Sequence, residues 1–387
     1  MILWITYWFP DEEHPYRATF VRSHFQAAKA AGLEVELVDV QFSPRGIFSV
    51  RWLKINETHH RLLISGIASR LLYHTPSLVS RWIHQWLRTQ GKLPEVRGIH
   101  GQVGYPAGFV SATVSQWLNV PYVITEHWSK APARLKNGWE RRALLRAYQN
   151  ASRVLPVSTH LSEALQEASG LSIDRFSVIP NVIDFTSFPY RLKEPGMPRS
   201  FLFVSVMSLV PSNAHIKKVE WILEALAVFR RENPAILWEW IHIGEGSRID
   251  ALEKRAVEKK LGDRVRFVGG KSPKWIGHTL QQAHLFLHPS TQETFGLVVR
   301  EALATGTPVL TTRIPAHIDW FTASMGLLVE PTEEAFVSGF LEIIKKLPTV
   351  PQNAVDRELF SAQRVGQQWV DLYQELFRSA SPGGTAS

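Results

Sequence analysis

The amino-acid sequence predicts an α/β protein with two domains, each built around a doubly wound parallel sheet. The chain has 387 residues, whereas a single domain usually holds roughly 100–200. Strand-like apolar runs alternate with helical patterns in both halves of the chain, as they do in successive β-α-β units. A segment rich in proline and charge, residues 191–200, separates the halves and predicts an interdomain linker.

The first domain is expected over residues 1–190. Its opening apolar run, residues 2–7, is followed by a helical pattern over 19–31 and a second apolar run over 34–40. No basic leader precedes the opening run and acidic residues follow it, so we expect a buried strand there rather than a signal peptide. Further strands are predicted over 98–100, 122–125, 153–157 and 177–179.

The second domain is expected over residues 201–360 and repeats the same alternation. Its strands are predicted over 201–206, 237–243, 265–268, 285–288 and 309–312. Residues 361–378 carry large apolar side chains at helical spacing, which predicts a final helix. The small and polar residues that follow, 379–387, predict a disordered tail.

Composition excludes several kinds of site. The chain contains no cysteine, so disulfides, thiolate metal sites and cysteine nucleophiles are excluded. Neither an Asp-x-Asp nor a His-Glu-x-x-His sequence occurs, so we expect no catalytic metal and no cofactor. No apolar run approaches the roughly 18 residues of a membrane span.

The formal net charge of +8 is confined to the first half, where successive blocks of fifty residues carry −2, +6, +4 and 0. Such a basic region suggests an anionic partner. Residues 51–92 interleave arginine and lysine with tryptophan, leucine and isoleucine. A surface of this kind can lie on anionic lipid, and the alternative is an ordinary helix pair with a solvated basic face. No nucleic-acid-binding motif accompanies the charge, so nucleic acid is not an expected partner.

The most informative stretch of the chain lies around two glutamates, Glu293 and Glu301. The predicted strand 285–288 stops at Pro289, and a helical pattern runs over 297–305 before a glycine ends it. Glu293 therefore lies in a strand-to-helix loop, whereas Glu301 lies on the helix.

The residues between this strand and this helix suit a phosphate ligand. Thr294 follows the first glutamate, and the backbone N–H groups of Phe295, Gly296 and Leu297 point out of the helix toward any anion placed there. Gly296 lets the backbone come close. Carboxylates accept hydrogen bonds from hydroxyl groups, so the first glutamate is expected to bind sugar hydroxyls and the second a ribose diol.

The stretch reads Pro-Ser-x-x-Glu-Thr-Phe-Gly within a Glu-x7-Glu pattern and continues as Glu-Ala-Leu-Ala-Thr-Gly-Thr-Pro-Val. With these flanks it resembles the family-4 glycosyltransferases, retaining enzymes of the GT-B fold. The resemblance implies two Rossmann-like domains that face each other across a cleft, with the final helix crossing back to the first domain. It also implies transfer of a sugar from a nucleoside-diphosphate donor, UDP- or GDP-linked, to a hydroxyl acceptor. We expect that acceptor to be a glycan or a lipid-linked oligosaccharide in polysaccharide biosynthesis.

Further residues of the second domain match or depart from the family pattern. Lys217 matches the family lysine, whose implied role is to stabilise charge on the leaving group. Ser208 stands where the family has an arginine, so the second positive charge is missing there, and Lys218 is a candidate replacement. Gly244 begins the family's Gly-x-Gly, and Gly270 opens a loop that in the family lies near the nucleotide base.

The remaining candidates lie in loops of the first domain. His127 follows a predicted strand where the family often has a histidine beside the donor sugar. Its implied role is to donate a hydrogen bond to the sugar, and a structural role is the alternative. His100 is expected to help shape the acceptor pocket. Tyr16, Arg17 and Ala18 lie in a loop that approaches the phosphates in the family, with Ala18 in the place of a common glycine.

Two alternatives to a transferase stay open. One is a sugar-nucleotide epimerase of the same fold, and the other is a non-catalytic sugar-nucleotide binder, which Ser208 favours. An epimerase needs acid and base residues around the sugar ring, and the sequence identifies none. We expect a cytoplasmic protein that is peripheral on the inner face of the membrane.

Overall fold

The computed structural model describes residues 1–67, 69–137, 140–193, 198–210, 213–347 and 355–379. They form two compact units, one of Met1–Val182 with the final helix and the other of Ile183–Ser361. The sequence places the end of the first domain at residue 190, but Ile183 and Phe188 are buried in the core of the second unit. Residues 194–197 of the predicted linker and 380–387 of the predicted tail lie outside the described residues.

A seven-stranded sheet forms the centre of the first unit, in the order β3-β4-β2-β1-β5-β6-β7. All neighbouring strands are parallel except β3 and β4, which are antiparallel. The strands are β1 (Ile2–Thr6), β2 (Val35–Ser43), β3 (Ser49–Asn56), β4 (His59–Ser65), β5 (Gly98–Gln102), β6 (Tyr122–Glu126) and β7 (Arg153–Pro156). The strand predicted over 177–179 is absent, because only an isolated bridge joins Phe176 to Val154.

The sequence missed β3 and β4. Residues 49–65 form a hairpin, so the alternative of an ordinary helix pair over 51–92 is wrong for this part. The sequence signal for this hairpin was the alternation of side chains with a period of two along β3. Trp52 stacks on Trp86 at 4.8 Å between ring centroids, whereas Arg51 and Leu53 point to the exposed side. At the turn, Asn56 Oδ1 accepts a hydrogen bond from the Thr58 amide at 3.0 Å.

Helices cover the sheet of the first unit. They are α1 (Thr19–Ala30), α2 (Ser69–Leu72), α3 (Pro76–Thr89), α4 (Phe109–Leu118), α5 (Ala131–Lys136), α6 (Arg141–Asn150) and α7 (Thr159–Ser169). The α1 helix begins after Ala18, which adopts a left-handed backbone with φ 48°.

A six-stranded sheet forms the centre of the second unit, in the order β10-β9-β8-β11-β12-β13. Every neighbouring pair is parallel. Its strands are β8 (Ser200–Val206), β9 (Leu237–Ile243), β10 (Val265–Phe267), β11 (Leu285–His288), β12 (Val309–Thr312) and β13 (Gly326–Val329). All but β13 were predicted, and the two parallel sheets confirm the predicted fold class.

The helices of the second unit enclose this sheet, with a core in which Phe203, Trp240 and Phe340 are fully buried. They are α8 (Ala214–Lys217), α9 (Val219–Glu232), α10 (Ile249–Glu258), α11 (Pro273–Gln282), α12 (Leu297–Ala304), α13 (Pro315–Ile318) and α14 (Glu333–Lys346). The final helix of the chain, α15 (Ala362–Ser379), belongs to the first unit. There Trp369 is buried with its ring centroid 5.5 Å from that of Trp4 on β1.

The strand order of the second unit reverses between β8 and β11. The chain runs from β8 outward through β9 and β10, and then returns to add β11, β12 and β13 on the other side. In a parallel sheet the carboxyl ends of all strands meet at one edge, and ligands bind there at the reversal point. The loops that follow β8 and β11 carry Ser208, Lys217 and Glu293, so the fold brings the candidate residues to this edge.

Candidate functional site

Lys217 and Glu293 meet at this edge of the second sheet. Lys217 Nζ lies 2.5 Å from Glu293 Oε1, and His288 Nε2 lies 2.9 Å from the same oxygen. The loops that carry them are tied together, because the Thr291 amide donates to the Ile216 carbonyl at 2.8 Å. The side chains of Lys217 and Glu293 are only 14% and 17% exposed, so the pair is largely shielded from water.

The protonation states of this cluster follow from its geometry. Burial opposes ionisation of Glu293, but the Lys217 ammonium and the His288 hydrogen bond outweigh it and hold the pKa well below its ordinary value. Burial lowers the pKa of His288, although Glu293 opposes part of that shift. His288 is therefore neutral at pH 7 and donates its Nε2 hydrogen to the Glu293 carboxylate.

The α12 helix begins directly after this cluster. Gly296 caps it with φ 68°, and a Cβ there would lie 2.8 Å from His317 Nε2, so the position requires glycine. The first amides of a helix have no partner within it and carry partial positive charge. Phe295 is buried, whereas Thr294 and Leu297 are partly exposed beside the helix end.

Glu301 lies one turn further along α12 and is partly exposed. Within the described residues its carboxylate has no hydrogen-bond or ion-pair partner. Burial, together with the nearby Asp184 carboxylate, raises the pKa of Glu301 to about 8. This carboxyl group can therefore accept hydrogen bonds from the hydroxyl groups of a ligand, because no described residue of the protein bonds to it.

The other donor-side candidates surround this edge. Ser208 is exposed in the loop after β8, and that loop is held to the next strand end, where the Leu209 amide donates to the Glu245 carbonyl at 2.7 Å. A Cβ on Gly244 would lie 2.0 Å from the Met207 carbonyl oxygen, so this glycine packs backbone against backbone. Gly270 is partly exposed beyond β10.

Lys218, the candidate replacement for the missing arginine, forms no ion pair with an acidic side chain among the described residues. It adopts a left-handed backbone with φ 47° between α8 and α9. Its Nζ lies 5.8 Å from the centroid of the Trp221 ring. Residues 211 and 212, in the same loop region, lie outside the described residues.

In the first unit, His127 directly follows β6 and is buried. Burial, with smaller contributions from His24 and His100, lowers its pKa well below the ordinary value, and Asn181 opposes part of that shift. The neutral ring has one N–H, which points to Gln102 Oε1 at 3.0 Å from Nε2. Its Nδ1 has no hydrogen-bond partner among the described residues and is left as an acceptor. Because Nδ1 is buried, a sugar must first reach it, and a hydroxyl that did so would donate to His127, the reverse of the predicted direction.

A buried carboxylate, Glu126, fixes the backbone at His127. It accepts hydrogen bonds from the amides of Gly104 at 2.9 Å, His127 at 2.9 Å and Trp128 at 2.7 Å, and from the Tyr148 hydroxyl. Burial raises its pKa, and these four donors oppose part of the rise. Glu126 thus holds the loop that presents the His127 ring.

His100 does not shape an acceptor pocket, and that prediction is wrong. Its side chain is fully buried, Nδ1 lies 2.6 Å from the Tyr373 hydroxyl, and Nε2 lies 2.6 Å from Thr125 Oγ1. The ring also packs 4.9 Å from Trp369, centroid to centroid. His100 therefore anchors α15 to the sheet, and no ring nitrogen is left for a ligand.

The predicted phosphate-approaching loop is exposed at its tip. Tyr16 and Arg17 are exposed, and the Arg17 amide donates to the His14 carbonyl at 3.1 Å. Ala18 holds the left-handed backbone that glycine adopts freely, at a cost of roughly 1–2 kcal/mol. That conformation is the physical reason why glycine is common at this position.

The sequence did not identify three polar residues that the structure brings to the α12 helix. They are His288, His317 and Arg300, all buried. His288 was detectable as the last residue of a buried strand directly before Pro289 and the glutamate loop. Arg300 and His317 carried no motif, because their contacts join α12, α13 and the residues before α15.

Two family models match the chain. The model described as Glycosyltransferase Family 4 matches residues 18–187, and the model described as Glycosyl transferases group 1 matches residues 199–346. The chain belongs to the family-4 glycosyltransferases. Together with the two parallel sheets, this assigns the GT-B fold to the glycosyltransferase.

Curated relatives share modest identity with this glycosyltransferase. Glycogen synthase of Mycobacterium tuberculosis is 28% identical over 221 residues, which cover 55% of this chain and 50% of the relative. The putative teichuronic acid biosynthesis glycosyltransferase TuaC of Bacillus subtilis is 24% identical over 359 residues, 85% of each chain. The matched part thus spans about half the length of the glycogen synthases.

Solved structures share the fold. Sucrose-phosphate synthase from Thermosynechococcus elongatus has a TM-score of 0.75 at 18% identity, covering 98% of this chain and 100% of that one. HepE of Anabaena, solved in complex with UDP and glucose, has a TM-score of 0.69 at 19% identity, covering 97% and 100%.

Across the residues that the structure describes, no helix has both the length and the apolar character of a membrane span.

Proposed function

We propose that this chain is a retaining glycosyltransferase that moves a sugar from a nucleoside-diphosphate donor, held by the second unit, to a hydroxyl acceptor. The ion pair of Lys217 and Glu293 beside the α12 N-terminus carries the proposal. It combines a cation and free amides for a diphosphate with an ionised carboxylate for sugar hydroxyls. The presence of UDP in the HepE structure supports a donor of this class.

The chemistry assigned to these residues is placement and charge stabilisation. Lys217 and the α12 amides stabilise the negative charge that grows on the diphosphate as the sugar departs. Glu293 stays ionised near neutral pH and accepts hydrogen bonds from the sugar hydroxyls. Glu301 accepts the ribose diol. The acceptor hydroxyl attacks from the face that the diphosphate leaves, and a donor phosphate oxygen takes its proton, so the configuration is retained.

The acceptor is proposed to be a glycan or a lipid-linked oligosaccharide in polysaccharide biosynthesis. The relative TuaC is described as acting in teichuronic acid biosynthesis, which supports a polymer-building role. His127 is proposed to accept a hydrogen bond from the donor sugar, and Tyr16, Arg17 and Ala18 to line the phosphate side of the first unit. We expect the donor's charge to be neutralised by protein groups without a metal ion.

An anionic membrane surface is proposed as a partner of the first unit. Ile47 and Phe48 in the β2–β3 turn, with Ile67 and Leu71 after β4, form an apolar tip in which Ile47, Ile67 and Leu71 are 90%, 84% and 73% exposed. The two segments are joined where the Gly66 amide donates to the Arg45 carbonyl at 3.1 Å. Apolar side chains that protrude beside basic ones suit insertion between lipid headgroups.

Vesicle sedimentation tests this membrane partner. Wild-type protein is expected to bind vesicles that contain 30% phosphatidylglycerol and not to bind vesicles of pure phosphatidylcholine. A variant with Ile47, Phe48 and Ile67 changed to serine should lose most of that binding. Equal binding of wild type and variant would refute the role of the apolar tip in membrane binding. Localisation on the cytoplasmic face of the membrane remains a prediction.

Labelled UDP- and GDP-sugars test the activity. Incubation with a hydroxyl acceptor such as an alkyl glycoside should release UDP or GDP and form a product with the donor's anomeric configuration. Interconversion of donor sugars would favour the epimerase, and unchanged donor after tight binding would favour the non-catalytic binder. If the protein is a glycosyltransferase that uses Glu293 to bind the donor sugar, Glu293→Gln should lower turnover.

A further inference from the structure

Arg300 is a buried cation that has no anionic partner within the described part of the chain. It is the fourth residue of α12 and is only 6% exposed. Its Nε and Nη1 have no hydrogen-bond partner within the described part of the chain, and no ion pair to it is found there. Buried charges in proteins are normally paired, because removing an ion from water costs several kcal/mol.

Three aromatic rings enclose the guanidinium. Its central carbon lies 3.8 Å from the Trp320 ring centroid, 4.1 Å from that of Phe295 and 5.3 Å from that of Phe360. Each such contact stabilises a cation by roughly 0.5–2 kcal/mol, which offsets part of the burial cost. Burial lowers the pKa of Arg300 to about 9, so the group is still charged at pH 7.

The guanidinium lies beside the N-terminus of its own helix. Side chains in a helix lean toward its N-terminus, and Arg300 Nη1 lies 3.6 Å from the position that a Cβ on Gly296 would occupy. The free amides at a helix N-terminus carry positive partial charge, so a cation there is unfavourable unless an anion is also present. Two positive groups therefore converge on the same point.

The neighbouring side chains do not supply that anion. His317, whose Nε2 faces Gly296, is neutral at pH 7, because burial lowers its pKa to about 4, although the hydrogen bond from Nδ1 to the Thr312 carbonyl at 3.1 Å opposes part of that shift. Glu293 Oε1 is already shared by Lys217 and His288. Glu301 has the raised pKa described above, so it is a poor counter-ion at neutral pH.

We propose that Arg300 is a phosphate-binding residue at the α12 N-terminus, where it supplies the positive charge that Ser208 does not. This inference rests on the proposed function and names the group that recognises the donor's diphosphate. An incoming diphosphate relieves the repulsion between the guanidinium and the helix N-terminus. The aromatic rings hold the guanidinium in place while the site is free of ligand.

The competing explanation is a purely structural cation in an aromatic cage. In that case Arg300 contributes to stability, and its loss affects all ligands equally or none. A phosphate-binding role instead predicts that the loss of affinity grows with the number of phosphates on the ligand.

Nucleotide titration of the full chain separates the two explanations. Isothermal titration calorimetry measures the dissociation constants of UDP, GDP, UMP, GMP and inorganic pyrophosphate for wild type, Arg300→Met and Arg300→Lys. Met fills the cage without charge, and Lys restores the charge. Arg264→Met is the matched control, since Arg264 also stacks on an aromatic ring, Trp238 at 5.5 Å, but bonds the Ile236 carbonyl at the opposite edge of the sheet.

Arg300→Met is expected to weaken the binding of UDP or GDP, whichever wild type binds more tightly, by about tenfold or more. Binding of the corresponding monophosphate should weaken by a smaller factor. Arg300→Lys should recover most of the loss, and Arg264→Met should change neither. A folded Arg300→Met protein with wild-type diphosphate affinity would overturn the proposal. If Arg300→Met does not fold, Arg300→Gln, which also removes the charge, takes its place: a larger loss of affinity for UDP than for UMP supports the proposal, and an equal loss for both or none refutes it.

The failure of the proposed function would look different. Wild-type protein that binds no nucleotide at all would remove the donor assignment. The shift in melting temperature that pyrophosphate produces in wild type and in Arg300→Met would still decide whether Arg300 binds phosphate.

Discussion

Lys217 and Glu293 are 76 residues apart in sequence, yet they form an ion pair of 2.5 Å that joins the loops after β8 and β11. Lys217 thus already has an anionic partner within the protein. A diphosphate must therefore share Lys217 with Glu293. The energy of the site depends on both residues being present together.

Lys217→Met is expected to impair turnover and stability at once. The loss of a cation aimed at the leaving group should lower kcat by about 10²–10³-fold. The buried Glu293 carboxylate would lose its main counter-charge, at a cost of about 3 kcal/mol. Donor-hydrolysis assays and urea unfolding at pH 7 measure the two effects.

Lys259→Met is the matched control for this change. Lys259 Nζ lies 2.6 Å from Glu224, a pair of similar burial in the same unit, and Arg255 still pairs with Glu224 after the change. We expect wild-type turnover and a stability loss below about 1 kcal/mol. A Lys217→Met enzyme that retained wild-type kcat would remove Lys217 from the proposed chemistry.

Glu301 should make the protein less stable as pH rises. Its pKa is raised to about 8 in the folded state, so between about pH 4.5 and 8 the folded chain holds a proton that the unfolded chain has released. The unfolding free energy therefore falls across this window, by about 1–2 kcal/mol once partial exposure is allowed for.

Glu301→Gln should remove this part of the pH dependence. Urea unfolding at pH 5, 6, 7 and 8 gives the slope for wild type and variant. Glu330→Gln serves as control, because Glu330 is exposed and pairs with Arg313 at the surface. Identical slopes for wild type and Glu301→Gln would contradict the raised pKa.

The sequence was most informative where local pattern and motif agree. The alternation of buried strands with helices predicted β1, β8 and β11 closely, and the glutamate motif identified the loop at which the second sheet reverses its order. Chain order and the positions of turn residues carry this information directly, so no knowledge of tertiary contacts was needed.

The sequence was least informative where tertiary contacts decide. The β3–β4 hairpin forms because Trp52 packs on Trp86 of α3 and Arg61 bonds the buried Asp39 at 2.8 Å. His100 lies within β5 and His127 directly follows β6, but the sequence does not reveal that Tyr373 of α15 hydrogen-bonds the His100 ring. Arg300 carried no signal, since its aromatic rings come from three separate segments of the chain.

Gly244 and Gly269 separate two costs of adding a side chain. Both have positive φ, 146° and 68°, but a Cβ on Gly244 would lie 2.0 Å from the Met207 carbonyl oxygen, whereas one on Gly269 meets nothing within 4 Å. Gly269→Ala should lower the unfolding free energy by about 1 kcal/mol from the backbone alone. Gly244→Ala should lose about 3 kcal/mol and also weaken donor binding, because the loop with Ser208 must move. Equal losses, measured by urea unfolding, would contradict the packing role of Gly244.

His127→Asn and His100→Asn should produce opposite kinds of defect. At His127 the lost group is an acceptor nitrogen that the described protein leaves unused. We therefore expect kcat to fall by about 10- to 100-fold, as for a lost hydrogen bond to a reacting substrate, with a stability loss near 1 kcal/mol.

At His100, both ring nitrogens bond buried hydroxyl groups under α15. Its replacement leaves those groups unpaired and opens a cavity, so the unfolding free energy should fall by about 3 kcal/mol. Turnover per folded molecule, measured well below the melting temperature, should stay within about threefold of wild type, since His100 is joined to His127 by hydrogen bonds through Gln102 rather than by a direct one. A His100→Asn enzyme with normal stability and lost turnover would reverse the two assignments and return His100 to the acceptor pocket.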